Sequence, residues 1–224
     1  MSYFPLIEIF KVRLLLLDLQ MIGDIIRDFI LICLLFSFDK FAINYLFVLI
    51  DKIYHAANPS NKTWNLLKTL FHTSIFWTVF LFLLPQLIVW GEAELGIPGF
   101  NPLPILGWIG FGLLGCLGIS SGVTMSWIGQ GTPLPTDCPN QLVIKGPYRI
   151  VRNPMAVAGI GQAICMGLIL GSWMTIVYAL SGAFFWHFAV RPSEERDLYK
   201  RFGADYRRYQ KAVWCWIPSF KKFE

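Results

Sequence analysis

Charge is scarce in this chain: of its 224 residues only 15% are Asp, Glu, Lys or Arg, while 55% are hydrophobic. That balance excludes an ordinary soluble domain, in which about a quarter of residues are charged, and makes an integral membrane protein the default class. Histidine is scarcer still. His55, His72 and His187 stand alone, without the pairing that a haem or zinc site needs. The five cysteines, Cys33, Cys116, Cys138, Cys165 and Cys215, form no C-x-x-C pair and lie near no histidine. Neither a disulfide framework nor a metal site is indicated, and they read as reduced structural thiols. Glycine-rich phosphate loops are missing as well. Gly129-Gln130-Gly131 and Gly159-Ile160-Gly161 lack a third glycine and a strand-turn-helix context, so they read as turn or packing glycines. The N-terminus has no short apolar core followed by a small-residue cleavage site and is not read as a cleaved signal peptide. The net charge of +5 comes from basic residues interleaved with apolar runs. Loops held on the cytoplasmic side explain that pattern better than nucleic acid, which is not expected as a partner.

Long apolar runs are what the sequence has instead. Leu70–Trp90 is 21 residues and Pro104–Ile128 is 25 residues without a formal charge, each long enough to cross a hydrocarbon core about 30 Å thick. Met155–Val190 is 36 residues whose one ordinary ionisable group is His187, and a break near Gly171-Ser172 predicts a tight hairpin of two short spans. The expected fold is an all-α integral membrane protein with about four transmembrane helices, the last two forming the hairpin. A cytoplasmic helical segment follows them. Orientation comes from Lys and Arg counts. The loop 91–103 has none and carries Glu92 and Glu94, so it is expected outside. The segment with Lys52, Lys62 and Lys68, the loop with Lys145, Arg149 and Arg152, and the tail with nine basic residues are expected to be cytoplasmic.

Residues 1–69 are different, because charges punctuate an otherwise apolar run. Asp28, Asp39, Lys40 and Asp51 recur about every three helical turns, which suggests amphipathic or additional membrane helices at the start of the chain. No linker or repeat is visible, so 1–224 is read as one membrane domain: the N-terminal helices, two spans over 70–128, and a region 129–224 that carries the chemistry. Gly118 with Gly122, and Gly159, Ala163, Gly167 and Gly171 at every fourth position, are expected to let helix backbones approach closely. A glycine face can also leave room for a lipid tail, but helix packing is the favoured reading.

The stretch KGPYRIVRNPM, Lys145–Met155, interrupts the apolar half with cations, a tyrosine and two prolines. Pro147 and Pro154 restrict their neighbours and predict a shaped loop with a helix starting at or near Pro154. Such a start offers free N–H groups to an anion, and Arg152 adds a forked donor suited to a carboxylate. The hairpin returns the chain to the same face with Arg191, Glu194 and Glu195. Those carboxylates suit an amine or ribose hydroxyls, and Arg191 lies on roughly the same helical face as Glu194. A ligand with both carboxylate and ammonium fits the pairing. The competing reading is that the arginines obey the positive-inside rule and the glutamates simply pair with them.

The run GQGTPLPTDCPNQLVIKGPYRIVRNPM, the apolar hairpin, then EERDLYKRFGADYRRYQ and a closing WIP resemble the isoprenylcysteine carboxyl methyltransferase and phospholipid methyltransferase superfamily of membrane enzymes. That family's order of elements is an Arg-His-Pro unit, a hairpin, a Glu-Glu pair and a Phe-Gly-x-x-Tyr-x-x-Tyr stretch. Here they are Arg152-Asn153-Pro154, Glu194-Glu195, and Phe202-Gly203 with Tyr206 and Tyr209. The resemblance covers about the last hundred residues. It implies S-adenosylmethionine as methyl donor, with Asn140, Gln141, Leu142, Tyr148, Arg152, Asn153, Pro154, Met155 and Glu194 lining its pocket. It also implies catalytic places for Arg152, Glu195 and Arg191, the last orienting the substrate. Asn153 departs from the family histidine. Asparagine hydrogen-bonds but cannot become cationic, so the substrate or its charge state is open. The implied acceptor is lipophilic and membrane-partitioned, a lipidated carboxylate or another lipid carboxylate or amine. A carboxylate needs no base, whereas an amine or phenol would look to Glu195, Tyr148 or His187. His187 otherwise reads as a packing histidine. The alternatives are an NADPH-dependent sterol-type membrane reductase and a non-catalytic membrane scaffold of the same fold.

Overall fold

A computed structural model describes residues 54–57, 61–133 and 137–219. The amphipathic stripe expected in the N-terminal segment, with Asp28, Asp39, Lys40 and Asp51, lies outside them. The described residues fall within a single compact unit, 50–224, and they contain four long helices and no strand.

Helix α1, Lys62–Glu94, and helix α2, Pro104–Gly129, are long and apolar enough to cross a membrane. Helix α3, Pro154–Leu170, is shorter, with 17 residues, the lower limit for a span. Helix α4, Trp173–Ala212, is also of spanning length, its apolar part ending at Val190 and its charged part beginning at Arg191. Trp64, Phe71, Ile105, Leu113 and Phe184 are all more than half exposed. An apolar surface of that kind is what lipid, and not water, would cover.

The glycines of α2 explain how it packs against α1 and the antiparallel α3. A Cβ on Gly107 would lie 2.5 Å from Ile169 Cγ1, one on Gly118 would lie 3.4 Å from the Ala158 Cβ, and one on Gly122 would lie 3.1 Å from Thr69 Cγ2. Close backbone approach is thus the role of Gly118 and Gly122. On α3 the expectation divides: Gly167 is closed in by Ile176, whereas Gly159 has no atom within 4 Å of where a Cβ would stand. Gln162 is fully buried and its Nε2 donates to the Phe111 carbonyl at 3.4 Å, a polar tie between helices.

The hairpin turn falls where the sequence placed it. Gly171 ends α3 in the left-handed region at φ 68°, a conformation that glycine adopts without a Cβ penalty. Ser172 then caps α4 by accepting from the Thr175 N–H at 2.9 Å. The buried Glu92 accepts from the Met174 N–H at 2.9 Å, so an acidic group meets the positive end of α4. At the opposite end of the bundle the basic regions meet. Lys68 pairs with Asp137, and Thr69 and Ser126 share a buried hydroxyl hydrogen bond of 2.8 Å.

Candidate functional site

The loop between α2 and α3 is drawn tight before it reaches KGPYRIVRNPM. Gly129 and Gly131 lie against Pro139, where any Cβ would come within 2.7 Å, and the Gly129 carbonyl accepts from the N–H of Asn140 and of Gln141. Asn140 and Gln141 have exposed side chains, and Asn140 Nδ2 donates to the Ala57 carbonyl at 2.9 Å. A 3-10 turn, Gly146–Arg149, follows, starting from Gly146 at φ 58°, and it places Tyr148 in the interior.

Pro154 opens α3, and Asn153 is its cap: Asn153 Oδ1 accepts from the Ala156 N–H at 3.2 Å. With the oxygen so engaged, the amide nitrogen is aimed outward and donates to Glu194 Oε2 at 3.0 Å. Asparagine thus does two jobs that need one acceptor and one donor, which a cationic ring could not combine. Met155, in the first turn of α3, approaches Gly122 of α2.

Across the rim, Arg152 Nη1 donates to Glu195 Oε1 at 2.7 Å and to the Tyr206 hydroxyl at 3.4 Å. The second oxygen of Glu195 accepts from Gln210 Nε2 at 3.0 Å. That last bond joins residues fifteen apart on one nominal helix, which is possible because α4 breaks at Gly203. Its φ of 52° and ψ of −121° are non-helical and lie in a region that is strained for any residue with a Cβ. The chain folds back there, so Tyr206, Tyr209 and Val213 make a buried cluster with Leu142, Ile144, Leu198 and Phe202 against it. The Tyr209 hydroxyl donates to the Tyr148 carbonyl at 2.5 Å. Arg201 pairs with Asp197 and donates to the Pro139 carbonyl at 2.6 Å, so the charged helix grips the loop.

The electrostatics separate the two glutamates. Glu195 is neutralised by Arg152, with both oxygens occupied. Glu194 lies beyond the apolar part of α4, keeps part of its surface accessible to water, and is closely surrounded by protein. Burial, reinforced by the neighbouring Glu195 and opposed by the Asn153 hydrogen bond, pushes its carboxyl up to about 7. It is the carboxylate of the pair without a cationic hydrogen-bond partner. Arg152 stands close enough to act on its charge, while Arg191, three residues earlier in the chain, hydrogen-bonds Cys215. The Nε of Arg152 and the Nε of Arg191 are buried and have no hydrogen-bond partner among the described residues. Burial pushes Tyr148 well above the usual phenol range and Cys138 up to about 11, so neither the phenol nor the thiol is poised to lose a proton near neutral pH. His187 Nδ1 accepts from Trp216 Nε1 at 2.8 Å. An indole can only donate, so Nδ1 is the acceptor in this bond.

The structure therefore brings Arg152, Asn153, Pro154, Met155, Tyr148, Glu194 and Glu195 together, with Leu142 packed on the Tyr206–Tyr209 cluster, whereas Arg191 turns to Cys215. Asn140 and Gln141 are held at the edge of this group by backbone hydrogen bonds. Among the described residues no group of three His, Cys, Asp or Glu side chains could hold a metal ion. An amino-acid-like ligand fits the arrangement: a carboxylate for the reserved guanidinium donors, an ammonium for Glu194. Residues 107–205 match the phospholipid methyltransferase family. A methanethiol S-methyltransferase from Pseudomonas deceptionensis is 33% identical over 82 residues, 34% of this chain and 28% of that protein. The shared part is thus less than a third of the relative's length. Both comparisons agree with the superfamily that the sequence resembles, and both carry the name of a methyltransferase.

Sequence reasoning placed Gly203, Tyr206 and Tyr209 within a pattern and Gln210 and Trp216 within the resembling runs, but gave none of them a role. The one available signal was Gly203 in the middle of a charged helical run, where glycine is costly unless the backbone needs it.

Proposed function

We propose that this protein transfers a methyl group from S-adenosylmethionine to a lipophilic acceptor held in the membrane, with its basic loop and tail on the cytoplasmic side. The observation that carries the reading is that Glu194, close to Arg152, has no cationic hydrogen-bond partner, while the buried Nε atoms of Arg152 and Arg191 have no hydrogen-bond partner among the described residues. In this reading Glu194 takes the ammonium of the cofactor's amino-acid end, and Arg152 and Arg191 take its carboxylate or orient an anionic acceptor. Asn153 keeps Glu194 in place, and the loop 140–142 covers the remainder. When bound, the cofactor supplies a sulfonium methyl that leaves to an acceptor lone pair as the carbon–sulfur electron pair returns to sulfur. The protein's own contribution is alignment and exclusion of water. A carboxylate acceptor is already ionised at neutral pH and asks no base of Glu195, Tyr148 or His187.

A second acceptor class, a small thiol, is favoured by the activity for which the Pseudomonas relative is named. A thiol must lose a proton to attack, so turnover at saturating cofactor, followed against pH, separates the classes: level above neutrality for a carboxylate, rising with pH for a thiol. The test of the reading itself is calorimetric titration of purified protein with S-adenosylhomocysteine and, in parallel, with NADPH. Binding of the first, lost in Glu194→Gln, is expected. Binding of NADPH alone would instead support a reductase, and binding of neither by folded protein would leave a scaffold.

A further inference from the structure

The segment after α4 does not trail into solvent. It returns to the depth at which α4 leaves its apolar part. Trp216 donates to His187, and its ring meets Trp186 edge-on at 5.0 Å. His187 lies four residues before Arg191, the first charge of α4, so at about 1.5 Å per residue Trp216 sits about 6 Å on the apolar side of that boundary. Two backbone bonds fix the return: the Arg152 N–H donates to the Trp214 carbonyl at 2.9 Å and the Ser219 N–H to the Ile150 carbonyl at 2.6 Å. While Trp216 faces inward, its neighbours do not. Trp214 is 59% exposed, Ile217 58% and Ile150 43%, and the exposed cations Arg149 and Lys211 lie beside them in the chain.

We infer that Trp214, Ile217 and Ile150 form an interfacial anchor, seated in the headgroup and acyl boundary of the same bilayer that α4 crosses. An amphipathic indole, two aliphatic side chains and flanking cations are the chemistry that boundary takes, and about 6 Å is within the depth to which interfacial segments bury their apolar face. The same residues facing water would be an apolar patch with no reason to persist. Because the anchor is hydrogen-bonded directly to Arg152 and continues from the fold-back that carries Tyr206, Tyr209 and Gln210, the bilayer surface becomes part of what holds those groups in place. The inference stands independently of the methyl-transfer reading.

The test is site-specific photocrosslinking of the full chain in vesicles of phosphatidylcholine and phosphatidylglycerol. p-Benzoylphenylalanine replaces Ile217 in one variant, Phe184 in the apolar part of α4 in a second, and Asp205, on the far side of the Gly203 break, in a third. All three positions are exposed, so each variant should fold. Mass spectrometry is expected to find phospholipid adducts at position 217 at a yield near that at 184, and few at 205. A yield at 217 no greater than that at 205 would overturn the anchor.

Discussion

Glu194 offers the sharpest test, because its carboxyl is held up to about 7 chiefly by burial, with Glu195 adding to it. At that value about one tenth of the molecules carry the carboxylate at pH 6 and about nine tenths at pH 8. A ligand whose ammonium needs the ionised form should therefore bind about tenfold more weakly at pH 6 than at pH 8, ~1.4 kcal/mol. The bound cation pulls the proton off, so binding at pH 6 should release close to one proton and binding at pH 8 very little. Titrating S-adenosylhomocysteine in buffers of different ionisation enthalpy measures both quantities. The sign for stability is opposite. A carboxyl raised from its ordinary value of 4.5 binds its proton more tightly folded than unfolded. Without ligand, stability should fall as pH rises from about 4.5 to about 7 and be level above that. Glu194→Gln removes that loss, so at pH 8 the variant should be more stable than the native protein by on the order of 1 kcal/mol, allowing for the part of the group that water reaches. Equal native affinity at the two pH values, with no proton uptake or release, would refute the assignment of the free carboxylate to Glu194.

Two further outcomes follow from backbone and hydrogen-bond geometry. Gly203→Ala meets no neighbour within 4 Å, so its whole cost is the strained φ of 52°, about 1–3 kcal/mol. Gly159→Ala, equally unobstructed but helical, should be neutral or stabilising by up to about 1 kcal/mol, and paired thermal melts distinguish the two. Tyr209→Phe leaves the buried Tyr148 carbonyl without its 2.5 Å donor. It should cost about 1–3 kcal/mol in chemical denaturation and raise hydrogen exchange through the 3-10 turn Gly146–Arg149.

What the sequence determined was what depends on near neighbours. Apolar run length marked the spans, Gly171-Ser172 the hairpin turn, and Pro154 the start of α3, because hydropathy, a left-handed glycine and a proline act within a few residues of themselves. It also brought the two polar clusters to one end of the bundle, since a hairpin must return to the face it left. Only the tertiary structure decided which partner each group takes. Arg152 reaches Glu195 and leaves Glu194 to Asn153, a choice set by helical phase, in which adjacent residues point about 100° apart. The fold-back at Gly203 decided that Gln210 and Tyr206 complete the Arg152–Glu195 pair. It also let Trp216 return to His187. Both contacts span stretches of chain that no periodicity connects, and one non-helical residue was enough to choose between a helix pointing away from the site and one closing over it.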